Sequence, residues 1–111
     1  MGMEEGSSGW VCVCSEKSLS NGEMIEFDHA GAKIMVARAA GQLYALDRIC
    51  THAYADLTTG FMNEDACTVM CPLHLSAFKL SDGTPQNPPA TAALKTYKVK
   101  IQDEGIYIKL D

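Results

Sequence analysis

Two stretches decide how this chain reads: Cys50-Thr51-His52-Ala53 and Cys71-Pro72-Leu73-His74-Leu75-Ser76-Ala77-Phe78. Each sets one thiol and one imidazole close together in what reads as a loop. The spacing is C-x-H, then eighteen residues, then C-x2-H. Cys and His are common ligands for zinc and for iron. One of each in both loops lets two thiolates serve one metal ion and two imidazoles serve another. Cys50, His52, Cys71 and His74 are therefore the candidate metal ligands.

Outward from these loops the text is that of strands. Residues 10–14, 24–27, 33–39 and 42–46 are short apolar or β-branched runs, separated by turn formers such as Asn21-Gly22 and Ala40-Gly41. The apolar neighbours of Cys12 and Cys14 predict a strand buried on both faces. From Asp47 to about Pro89 the long strands stop. Within that segment, residues 56–60 read as loop or one helical turn, and residues 67–70 and 77–80 as short strands. Pro85, Pro88 and Pro89 predict an extended connection. Strands resume over residues 96–101 and 106–110, both alternating apolar and polar. No amphipathic helix or internal repeat interrupts this pattern. The prediction is an all-β domain: a basal antiparallel sandwich or barrel carrying a smaller inserted subdomain.

The two loops and their flanks resemble the Rieske family, above all the small ferredoxins that serve aromatic-ring-hydroxylating dioxygenases. The resemblance spans roughly Trp10 to Asp111. It implies a Rieske-type fold and one 2Fe–2S cluster held by Cys50, His52, Cys71 and His74, with His replacing Cys on one iron. It divides the chain into a flexible tail, residues 1–9, and a single domain, residues 10–111, with a cluster-binding subdomain at about 47–89. Leu75 departs from the family pattern, which often has Gly or a small residue there; a Cβ makes a positive φ costly. High-potential members add a disulfide between cysteines that would fall at Ala55 and Leu73, and a Tyr where this chain has Phe78. Ser76 matches a serine that donates to a bridging sulfide in those members. A reduction potential at the low end of the Rieske range, on the order of −150 mV, is implied. The rival reading of the ligand set is a mononuclear zinc site. It fits poorly, because zinc motifs usually pair like ligands; a red-brown rather than colourless protein decides between them.

At 111 residues the chain is one domain. A net charge of −5 argues against nucleic acid as a partner and allows steering of a basic protein. Asp47, Asp56, Glu64, Asp65 and Asp82 are the acidic candidates for such docking, which would then be transient and salt-sensitive. No apolar run reaches the roughly 20 residues of a membrane span. Five cysteines without a secretory leader predict a reducing cytoplasm and no disulfide framework. Cys12, Cys14 and Cys67 read as packing residues, and His29 as a surface residue.

No dinucleotide-binding glycine motif is present, nor a two-His-one-carboxylate iron site. The expected role is thus that of a monomeric one-electron carrier and not an enzyme. By resemblance, a flavin-dependent, NADH-using ferredoxin reductase would be the donor and a terminal Rieske oxygenase the acceptor. The alternatives are a small subunit or redox-sensing module of another oxidoreductase, such as a nitrite reductase, or a ferredoxin of an unrelated pathway.

Overall fold

A computed structural model describes residues 9–52, 54–73 and 75–110. His74, one of the four candidate ligands, and nearly all of the predicted N-terminal tail lie outside the described residues. The strands are β1 (Trp10–Ser15), β2 (Met24–His29), β3 (Ala32–Ala39), β4 (Gln42–Asp47), β5 (Phe61–Asn63), β6 (Thr68–Met70), β7 (Ala77–Lys79), β8 (Thr96–Gln102) and β9 (Gly105–Lys109). Six of them form one sheet in the order β1-β9-β8-β4-β3-β2, and β5-β6-β7 form a second. The larger sheet is nearly closed into a barrel. The all-β architecture read from the strand pattern is the one observed.

The second sheet is an insertion between two strands that are neighbours in space. β4 pairs with β8 only through Ala45–Tyr97 and Leu46–Thr96. The Asp47 N–H donates to the Lys95 carbonyl at 2.9 Å, so the chain leaves and re-enters the basal sheet at one place. The residues between them form the second sheet and both candidate loops.

Strand β3 explains how the unit is attached. Successive side chains of a strand point to opposite faces. On one face, Ile34 and Val36 pack with Leu19, Ala45, Ile106 and Ile108 in the barrel interior. On the other, Met35, Ala37 and Ala39 pack with residues of the insertion, including Leu57, Val69, Phe78 and Leu80. A strand buried on both faces reads as a continuous apolar run, which is what residues 34–37 are.

Three details differ from the sequence expectation. β1 lies at an end of the sheet order and leaves Cys12 exposed, so it is not buried on both faces. A bulge between Cys12 and Cys14 shifts the register against β9 and turns their side chains to different environments. Cys67 is not in a strand; it holds a φ of +58° in the turn before β6. Phe61–Asn63 forms a strand because it pairs with β6, a long-range contact that three residues of local pattern do not signal.

Candidate metal centre

The first candidate loop follows β4 and the second links β6 to β7. Their backbones repeat one design. In the first, Cys50 N–H donates to the Ala55 carbonyl at 2.8 Å and Tyr54 N–H to the Cys50 carbonyl at 3.0 Å. In the second, Cys71 N–H donates to the Ser76 carbonyl at 2.8 Å and Leu75 N–H to the Cys71 carbonyl at 3.0 Å. Four residues after each cysteine the chain turns left-handed, with φ +58° at Tyr54 and +61° at Leu75. The tight turn thus accepts Leu75 despite its Cβ, at a cost of about 1 kcal/mol.

Both cysteines lie in the same apolar core, Cys50 at 1% and Cys71 at 0% exposure. His52 is exposed. Among the described residues, none of the five cysteines is in a disulfide. Ala55 and Leu73 stand where the family's extra bridge would fall, and Phe78 is wholly buried.

Different chemistry holds each loop at its neck. Beneath the first, Ile49 and Asp56 form a β-bridge, and Arg48 lies below it at 5% exposure. Arg48 Nε donates to Asp56 at 2.9 Å, and Nη1 bonds Asp28 on β2. Asp56 also accepts from the Thr58 N–H at 2.9 Å and from its hydroxyl at 2.5 Å, capping the 3-10 turn Leu57–Thr59. Burial opposes ionisation of Asp56, but the Thr58 and Arg48 hydrogen bonds outweigh it and hold its pKa below the ordinary value. Hydrogen bonding to Arg48 lowers the Asp28 pKa likewise.

The second neck is neutral. Asn87 accepts from Ala77 N–H at 2.8 Å and donates to the Leu75 carbonyl at 3.1 Å, gripping the loop on both sides of Ser76. Ser76 is fully buried, and its oxygen accepts from Ala90 N–H at 3.0 Å. Accepting that bond leaves the hydroxyl proton to be donated elsewhere. Thr51 of the first loop donates to the Ala92 carbonyl at 2.8 Å. The proline-containing segment is therefore a strap across both loops and not a mere connection.

These supports were not visible in the loop motif. Arg48 and Asp28 are twenty residues apart, and only the fold joins them. Asn87-Pro88 is a local turn signal, but it does not say which loop the amide will hold. The remaining sequence candidates have ordinary surroundings. Burial, then the neighbouring Cys12, pushes the Cys14 thiol pKa up. His29 stacks on Phe27 with centroids 6.0 Å apart. The neighbouring Cys67, then burial, pushes the Tyr44 hydroxyl pKa up.

Two buried thiols, an exposed imidazole in one loop, and a buried hydroxyl with a proton to give suit a 2Fe–2S centre of mixed ligation. Comparisons with known proteins agree. The model of the Rieske [2Fe-2S] domain matches residues 9–98. The 3-phenylpropionate/cinnamic acid dioxygenase ferredoxin subunit of Photorhabdus laumondii is 36% identical over 96 residues, covering 86% of this chain and 90% of the relative. The carbazole 1,9a-dioxygenase ferredoxin of Nocardioides aromaticivorans superposes with a TM-score of 0.89 at 29% identity, covering 94% of this chain and all of that one. A chain from a complex of oxygenase and ferredoxin of carbazole 1,9a-dioxygenase superposes with a TM-score of 0.85 at 28% identity, covering 92% and 94%. The chain belongs to the Rieske [2Fe-2S] domain family, and its cofactor is one cluster of that type.

Proposed function

We propose that the protein is a one-electron carrier whose cluster is held by Cys50 and Cys71 on one iron and by His52 and His74 on the other. It would accept electrons from a flavin-dependent, NADH-using ferredoxin reductase and deliver them to a terminal Rieske oxygenase of an aromatic dioxygenase system. The observation that carries this reading is the repeated loop backbone, which sets Cys50 and Cys71 at the start of two equivalent turns, in a sequence that places a histidine within three residues of each. The ferredoxin names and the oxygenase–ferredoxin complex among its relatives support the choice of partners. We take the domain as residues 10–111, with residues 47–89 as its cluster-binding subdomain, working as a cytoplasmic monomer. Among the described residues, no helix is long and apolar enough to cross a membrane.

The bound cluster supplies reversible one-electron chemistry with little change of shape. The chain's own residues keep it that way. Burial of Cys50 and Cys71 excludes water from the sulfur side. Exposure of His52 brings one ligand edge to the surface, where an electron can leave. Arg48, Asn87 and Ser76 fix the loops, so little reorganisation accompanies a change of charge.

The test is reconstitution. Purified protein should be red-brown, and its dithionite-reduced form should give the anisotropic EPR spectrum of a mixed-ligand cluster. Cys50→Ser and His52→Cys variants should lose or change that signal. Mixing with a ferredoxin reductase, NADH and a dioxygenase oxygenase should restore substrate turnover. A normal cluster without turnover in any dioxygenase system would overturn the carrier role and leave the ligand set standing.

A further inference from the structure

Four of the five acidic side chains that the sequence offers for docking, all but Asp65, are already engaged within the fold. Asp56 is held by Arg48 and Thr58. Asp47 accepts from the Tyr97 hydroxyl at 2.5 Å. Asp82 accepts from Thr84 N–H and hydroxyl. Glu64 accepts from Ala40 N–H at 3.0 Å. An acid bound in this way has part of its hydrogen-bonding capacity already used within the fold.

The surface around the candidate ligands has a different chemistry. Residues 49–55, 70–78 and 83–94 form the two loops and their strap, and none is Asp, Glu, Lys or Arg. This holds in a chain of which 21% is charged. Tyr54 is 79% exposed, Leu73 61% and Leu75 52%, three of the five large apolar side chains most exposed among the described residues. Tyr54 and Leu75 occupy the equivalent left-handed positions of the two loops, and the two loops share the core around Cys50 and Cys71 and are bonded by one strap, at Thr51 and at Leu75. Each holds a backbone angle that glycine would adopt at no cost. An uncharged surface cannot gain from opposite charge, but it gains when water leaves it.

We propose that Tyr54, Leu73 and Leu75 form an apolar collar that docks into an uncharged, apolar recess on the electron-receiving face of a terminal oxygenase. This rests on the carrier role proposed above. Recognition then depends on apolar contact and is nearly independent of salt, in contrast to the charge steering that the net charge of −5 suggests. In the contact, the reduced ferredoxin gives up one electron and the oxidised oxygenase takes it; no bond is made or broken.

The experiment is stopped-flow electron transfer from the dithionite-reduced full chain, freed of reductant, to the oxidised oxygenase component of carbazole 1,9a-dioxygenase. For the wild type, the second-order rate constant should change less than about twofold between roughly 20 and 500 mM NaCl. Leu75→Gly and Tyr54→Gly should each lower it about fivefold or more, at unchanged potential and EPR spectrum. The same variants should melt no lower than the wild type, because glycine relieves the left-handed angle. Ile101→Ser, which removes an exposed apolar side chain near the end of β8, should leave the rate constant unchanged. A rate constant that falls tenfold or more with salt, or glycine variants that transfer at the wild-type rate, overturns the collar while the carrier role stands. No transfer by the wild type at any salt overturns the collar, and the carrier role falls with it only if turnover also fails in every dioxygenase system.

Discussion

Arg48 joins β2 to the base of the first candidate loop. Its guanidinium bonds Asp28 on β2 and Asp56 beside the first loop, with Glu26 3.7 Å away. Removing it leaves carboxylates facing each other without their cation. Because Asp28 and Glu26 are themselves largely exposed, the loss is smaller than for a fully buried pair, about 2 kcal/mol. Arg48→Ala should therefore lower the denaturation midpoint by that amount and speed cluster loss, followed by decay of the visible spectrum. Asp56 gives the effect a pH signature. Its folded pKa is depressed, so its contribution is present above the unfolded value of about 3.9 and is lost as pH falls through the lower folded value. Asp56→Asn should destabilise the protein at neutral pH, and the difference from wild type should shrink steadily below about pH 4. Chemical denaturation at several pH values measures it; a difference that grows towards acid would show that Asp56 is not ionised in the fold.

At the level of elements, β3 carries two cores on one backbone. Met35 faces the core shared with Cys50 and Cys71, and Val36 faces the barrel interior. Truncation of either should destabilise, by about 2–5 kcal/mol for Met35→Ala and less for the smaller Val36→Ala. Only Met35→Ala should also alter the visible circular dichroism of the cluster. The second element-level constraint is the approach of Gly60 to β6. A Cβ there would sit 2.0 Å from the Met70 carbonyl oxygen, one residue before Cys71. Gly60→Ala must push that strand aside, so it should cost several kcal/mol and leave protein that is recovered without colour. The turn Ala40-Gly41 was readable from its residue types, and Ala39 does pair with Gln42 across it. The strand Phe61–Asn63 was not, since its only claim to that structure is its partner Val69 and neighbours.

For the molecule as a whole, the net charge describes its distant field, and the contact chemistry is local. Acidic groups are spread over the basal sheet and turns, and the loop region is uncharged. The potential is a property at this same scale, set by ligands, hydrogen bonds and exposure together. No cysteine stands at positions 55 and 73, and the wholly buried Phe78 has no hydroxyl to donate. Ser76 retains one donor. The balance favours a midpoint on the order of −150 mV at neutral pH. Protein-film voltammetry reads it directly, and a midpoint well above zero would show that donors other than Ser76 dominate.

By itself the sequence determined the chemical type of the site and the class of fold. Ligand identity depends on residue type and close spacing, and strands announce themselves through period and punctuation, all of which are local. The tertiary structure alone decided what holds the loops and what surrounds them. Arg48 with Asp28, Asn87 with the two sides of Ser76, and the outward Tyr54 and Leu75 are long-range or conformational facts. A side chain finds such partners only after the chain has closed on itself, so no window of neighbouring residues contains them.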